Sequence, residues 1–148
     1  MMNMDVTSAV AVLRALLTED LGTYRRLHAG LDAGQRLAFA VVLTVAFGQA
    51  AVRRFGDDHT PAAIIEFVAD ARAWYPQPDE AVPAEDAETV LRAALGEDDL
   101  IDRLDGHAYS AAQTAMLYAL TRDNDDIDAL LASAAPQAED YLKHRTRR

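Results

Sequence analysis

The stretch Leu37 to Phe55, LAFAVVLTVAFGQAAVRRF, decides the predicted fold, because residues Leu37 to Val52 include no charged side chain. A 16-residue helix spans roughly 24 Å, whereas a membrane span needs about 20 apolar residues. The apolar side chains point to every side of a 3.6-residue period, and a helix of that kind has to be surrounded by other protein elements. The sequence therefore predicts a buried central helix at about 33–55 and no membrane association.

The residues that flank this stretch predict where the helix ends. Asp32-Ala33-Gly34-Gln35 is a capping-box variant, in which Asp32 is the N-cap and Gln35 the third helical residue. Gly56 follows Arg53 and Arg54, and we expect it to adopt the left-handed conformation that commonly ends a helix.

The overall composition favours one helical domain. The 148 residues are 51% apolar and 26% charged, which is typical of a globular protein. Alanine is abundant while glycine and proline are few, so helix is favoured over strand. The absence of cysteine excludes disulfides and thiolate metal sites. The first residues lack the features of a secretory signal, so we expect a cytoplasmic protein.

Apolar stripes along the rest of the chain predict an all-α compact bundle of about eight helices around the central one. One helix, with Thr60 as N-cap and Pro61 first, places Ile64, Phe67, Val68, Ala71 and Trp74 on one face and Glu66 and Asp70 on another. The predicted helices other than 33–55 cover 6–17, 19–29, 61–74, 84–95, 98–104, 111–122 after a Ser110 cap, and a last segment from about 127 that Pro136 interrupts.

An internal similarity suggests a duplication. VLRALLTED, from Val12, matches VLRAALGED, from Val90, at seven of nine positions, and Asp32 and Ser110 begin similar segments at the same offset. The hypothesis is a single domain, 1–148, with two pseudo-symmetric repeat halves, 5–75 and 84–144, joined by the proline-rich linker 75–83. The second copy of the long helix would be about three turns shorter. The alternative is that an alanine- and leucine-rich chain produces such matches by chance.

The charge distribution argues against nucleic acid as a partner. The net charge is −10, and residues 57–106 contain fourteen acidic side chains against three arginines. An acidic surface disfavours broad contact with phosphate backbones, and no basic patch is interleaved with aromatic residues.

Two Asp-x-His tripeptides are the candidate metal site. Asp57 and His59 precede one predicted helix, and Asp105 and His107 precede another. Two imidazoles with two carboxylates would suit a divalent transition metal. The competing interpretation, which we favour, is that the aspartates cap helices and the histidines are solvated, so no cofactor is expected.

No catalytic motif is present in the sequence. It has neither a nucleophile elbow nor a glycine-rich phosphate loop, so we predict no catalytic residues and favour a non-enzymatic protein. The favoured function is a helical protein–protein interaction or scaffold module, a homodimer or a binder of another protein, with Trp74 and Tyr75 as candidate contact residues. The alternatives are the metal-binding protein or metalloenzyme, and a helical protein that binds an apolar small ligand among Phe39, Phe47, Phe67 and Met116.

Overall fold

A computed structural model of the protein describes residues 6–56, 60–73, 82–122 and 126–146. Within these ranges the chain is all-α, with seven α-helices, one 3₁₀ helix and no strand, which confirms the predicted fold class. The elements are α1 Thr7–Leu17, α2 Leu21–Ala29, α3 Ala33–Phe55, α4 Pro61–Arg72, α5 Ala84–Ala94, the 3₁₀ helix Asp98–Arg103, α6 Gly106–Thr121 and α7 Ile127–Thr146.

Short-range signals place the first turns of α3 and α4 where the sequence predicts them. The Gln35 backbone N–H donates to Asp32 Oδ1 at 2.8 Å, and the Asp32 N–H donates to Gln35 Oε1 at 2.9 Å. This reciprocal pair is the predicted capping box. Thr60 accepts a hydrogen bond from the Ala63 N–H at 3.2 Å, with Pro61 as the first residue of α4.

The expected left-handed conformation of Gly56 is wrong, because Gly96 is the glycine with positive φ among the described residues. Gly56 directly follows the last residue of α3, and its N–H donates to the Val52 carbonyl at 2.7 Å. A Cβ added to Gly56 would lie 2.6 Å from that carbonyl oxygen. This position therefore requires glycine because a side chain would clash with the preceding turn of the helix.

The predicted start of α6 at Ser110 is also wrong. The helix begins at Gly106, where Asp105 is the N-cap and accepts a hydrogen bond from the Ala108 N–H at 2.7 Å. Aspartate caps a helix as well as serine does, and the apolar spacing continues in either register. With 16 residues against 23 for α3, α6 is shorter by about two turns and not three.

The predicted interruption at Pro136 does not occur, because α7 is helical on both sides of the proline. A proline inside a helix removes one hydrogen bond and crowds the preceding turn. The buried side of α7 continues past it, with Leu131, Ala134, Ala138 and Leu142 all almost fully buried. Apolar packing on both sides of Pro136 holds the helix together.

The chain forms two compact units by its internal contacts. The first unit contains residues 1–46 and 121–148, so it combines both ends of the chain. In it α1 packs against α2 and α7, and Arg14 Nε lies 2.9 Å from Asp128 Oδ1. Its buried core includes Val12, Leu13, Val42, Leu43, Leu130, Leu131 and Leu142.

The second unit contains residues 47–120. In it α5 packs against α4 and against the 3₁₀ helix, and the Arg72 Nε donates to the Val82 carbonyl at 2.9 Å. The buried core includes Phe47, Phe55, Ile64, Val68, Val90, Leu91, Met116 and Leu117. The single domain and the repeat halves stay predictions.

Candidate interaction surface

One side of α3 within the first unit is apolar and accessible to solvent. We name this surface the α3 face and define it by Leu37, Ala40, Val41, Thr44 and Val45. Ala40 and Thr44 are exposed, and the other three residues are half-buried. The Thr44 hydroxyl donates to the Ala40 carbonyl at 2.9 Å. This internal bond reduces the polarity that the hydroxyl presents at the surface.

The opposite side of the same part of α3 is buried, with Ala38, Val42 and Ala46 at most 2% exposed. The prediction of a helix buried on every side is therefore wrong for the single chain. Alanine and threonine have small side chains, so their exposure costs little. That α3 is central to the whole chain stays a prediction.

By length and composition, α3 is the one helix in the described ranges that could cross a membrane. Half of its most apolar 18-residue stretch is buried inside the protein. A buried helix of a water-soluble protein has the same properties, so composition alone does not separate the two cases.

The exposed side of α4, in the second unit, carries both apolar and acidic residues. We name this surface the α4 face and define it by Ala62, Ile65, Glu66, Ala69 and Asp70, all of which are exposed. Ile65 is 52% exposed and is the largest apolar residue of this face.

The buried side of α4 agrees with the periodicity of its sequence. Ile64, Val68 and Ala71 are at most 3% exposed, while Glu66 and Asp70 point to solvent as predicted. The sequence did not single out Ile65, although its position beside Glu66 in the helical period already places it away from the buried stripe.

The structure places half of the candidate metal site. Asp105 is exposed and caps α6, as the competing interpretation expects. His107 is exposed in the first turn of α6. Asp57 and His59 lie outside the described residues. Among the residues that are described, no group of three or more histidine and carboxylate side chains could hold a metal ion.

The other candidate residues are placed in part. Trp74 and Tyr75 lie outside the described residues. Phe39 is buried in the first unit, and Phe47 and Met116 are buried in the second. Phe67, also in the second unit, is half-buried with its ring at 87° to the Phe55 ring and a centroid distance of 5.4 Å. Phe39, Phe47 and Met116 are therefore core residues of their own units, whereas Phe67 is partly accessible to solvent.

An aromatic cluster fixes α2 against the start of α3 in the first unit. The His28 ring lies 5.5 Å from the Tyr24 ring and 5.6 Å from the Phe39 ring, between centroids. Partial burial raises the pKa of the Tyr24 phenol. The edge-to-face geometry of His28 on Phe39 is a favourable aromatic arrangement, so His28 has a structural role.

Two arginines of the second unit also have structural partners. The Arg54 guanidinium lies 5.0 Å from the centre of the Phe55 ring and 5.7 Å from that of Phe67, within cation–π range. Arg92 forms a bidentate ion pair with Glu97, in which Nε donates to Oε2 at 2.8 Å and Nη2 donates to Oε1 at 2.9 Å. The hydrogen bond and the charge of each partner lower the pKa of Glu97 and raise that of Arg92.

Comparison of the chain with protein-family models, with curated proteins and with solved structures finds no match. The function therefore has to be argued from the surfaces themselves.

Proposed function

We propose that this protein is a non-enzymatic helical interaction module that self-associates through the α3 face. One observation carries the proposal: an apolar side of a long helix is accessible to solvent in the single chain. Large exposed apolar surfaces on soluble proteins commonly mark contacts with other proteins.

The absence of charge on this surface supports the proposal. A helix side that faces only water usually carries charged or polar residues, and a lysine or glutamate at Ala40 or Thr44 would be accommodated without burial. The sequence from Leu37 to Val52 instead contains no charged residue. A face that is covered by a second protein would keep this composition, since burying an unpaired charge is costly.

The internal repeat is part of the same proposal. The matched positions have matched burial: Val12 and Val90 are each 1% exposed, and Leu13 and Leu91 are each fully buried. Among the described residues each half contains four helical elements, and its first helix packs against a short one. In each compact unit, the first helix of one half also contacts the last helix of the other half, as α1 does with α7 and α4 with α5. This reciprocal pattern supports two related halves within one domain, with about eight helices and α3 at its centre.

Light scattering on a size-exclusion column tests self-association. We expect the wild-type chain to be a dimer and Ala40→Glu to weaken dimerisation by at least about tenfold, because it places an unpaired charge in the contact. Ala132→Glu is the matched control, since Ala132 is an exposed alanine inside α7. The control should dimerise as the wild type does.

A wild-type chain that stays monomeric over the full concentration range would overturn the proposal. The same holds if Ala40→Glu and Ala132→Glu dimerise equally well. If the chain is monomeric in buffer and binds lipid vesicles, the apolar side of α3 would instead be a membrane-binding surface.

A further inference from the structure

We infer that the surface that covers the α3 face is the α4 face of a second copy of this chain. The inference rests on the proposed self-association and names the contact by which it occurs. The α3 face offers an apolar side of a helix with a basic edge, and the α4 face offers an apolar side of a helix with an acidic edge.

The basic edge of the α3 face is Arg36. It lies one helical turn before Ala40 along the same side of α3, and it is exposed. From there to Arg53 the helix contains no further charge, so Arg36 is the charge that α3 itself places beside the α3 face.

The acidic edge of the α4 face is formed by Glu66 and Asp70. These residues lie four apart, so their carboxylates follow one side of the helix. Within the described residues, neither of them nor Arg36 takes part in an ion pair. All three charges are therefore available to a second copy.

The apolar parts of the two surfaces also fit one another in size. Ala62 and Ala69 have small side chains and lie on either side of Ile65 along the α4 face, so the ridge formed by Leu37, Val41 and Val45 can approach the helix beside Ile65. Ile65 would then be covered by the partner. Its 52% exposure in the single chain would fall as the apolar area is removed from water.

Charge favours this pairing over a contact between two α3 faces. Direct pairing of the α3 faces brings together surfaces that have only basic charge at their edge, whereas the α3–α4 pairing joins opposite charges.

Charge reversal with mixing tests the pairing. Two variants are compared: the single variant Arg36→Glu and the double variant Glu66→Arg with Asp70→Arg. By itself, each should weaken dimerisation by about tenfold through like-charge repulsion. When the two variants are mixed in equal amounts, an α3 face of one variant and an α4 face of the other carry opposite charges again, either both native or both exchanged. Heterodimers should therefore form with wild-type affinity, as measured by analytical ultracentrifugation with one variant labelled.

The control for this experiment is Arg25→Glu, an exposed arginine of α2 whose reversal changes the net charge by the same amount. It should dimerise as the wild type does. Variants that dimerise normally, or a mixture without recovery, would overturn the pairing. If Ala40→Glu still dissociates the dimer in that case, self-association through the α3 face stands and only the partner surface is wrong. A monomeric wild type would overturn both.

Discussion

Glu19 adopts a backbone conformation that glycine usually occupies. Its φ is 64°, and the residue follows the last turn of α1. The Asp20 N–H donates to the Ala15 carbonyl at 2.9 Å, and the Glu19 N–H donates to that of Leu16 at 3.1 Å. These two bonds form a Schellman motif, in which the residue just after the helix, here Glu19, adopts the left-handed conformation.

The end of α5 repeats this motif with a glycine. The Glu97 N–H donates to the Arg92 carbonyl at 3.0 Å, and the Gly96 N–H donates to that of Ala93 at 3.3 Å. Gly96 has a φ of 126°, so α1 and α5 end with the same motif. When VLRALLTED is matched with VLRAALGED, Glu19 falls opposite Glu97, so the two left-handed residues lie one position apart.

At the residue scale, Glu19→Gly should raise the free energy of unfolding by about 1 kcal/mol, because it removes the cost of a left-handed side-chain residue. The reciprocal change Gly96→Ala should lower it by a similar amount. A Cβ at Gly96 has no atom within 4 Å, so the loss would be conformational and not steric. Urea denaturation measures both. A destabilised Glu19→Gly protein would show that the glutamate side chain outweighs the backbone strain.

At the scale of the elements, the helix ends depend on side-chain caps that differ in strength. The cap of α3 is a reciprocal pair of hydrogen bonds between Asp32 and Gln35. The caps of α2, α6 and α7 use one aspartate each, with distances of 3.3, 2.7 and 3.1 Å to the backbone N–H. α1 has no side-chain cap, so its position is set by packing.

The capping box predicts a measurable contribution to stability. Asp32→Ala should lower the free energy of unfolding by about 1 kcal/mol, since the Gln35 N–H loses its acceptor. Asp32→Asn keeps an oxygen at that place and is the control, with little expected change. Equal loss in both variants would mean that the negative charge at the start of α3, and not the hydrogen bond, is what stabilises this end.

At the scale of the whole molecule, the first compact unit is built from both ends of the chain. α1 and α7 are in contact, and the Arg14–Asp128 pair links them. This ion pair is exposed on both sides, so it contributes little. The stabilisation comes from the buried side of α7, including Leu131 and Leu142.

Shortening a buried residue of α7 should therefore destabilise α1. Leu142→Ala removes a side chain with no exposed surface and should cost about 2–5 kcal/mol. Amide hydrogen exchange should then become faster in α1 as well as in α7. Leu21→Ala, at a leucine that is 46% exposed, is the control and should change exchange little. Faster exchange in α7 with α1 unchanged would contradict a shared core.

Composition and apolar periodicity were sufficient to predict the helical class and the bounds of α3. The caps at Asp32 and Thr60 could be predicted as well, because each depends on residues within one turn of one another. It also determined which side of α4 is buried, since that stripe has a clear period. For α3 the residues on both sides are apolar, so periodicity carried no information about which side meets solvent. The sequence therefore predicted an apolar helix here, but it did not predict which side of that helix is exposed.

Other features depend on contacts between distant segments. α7 continues through Pro136 because packing on both sides outweighs the lost hydrogen bond, and α6 begins at Gly106 after the Asp105 cap although Ser110 offers a second cap five residues later. The contact of α1 with α7 joins residues more than a hundred positions apart, and no local pattern encodes such a pairing. Local hydrogen bonds define where helices begin, whereas burial of apolar area, summed over distant segments, decides which helices meet and which surfaces are left for a partner.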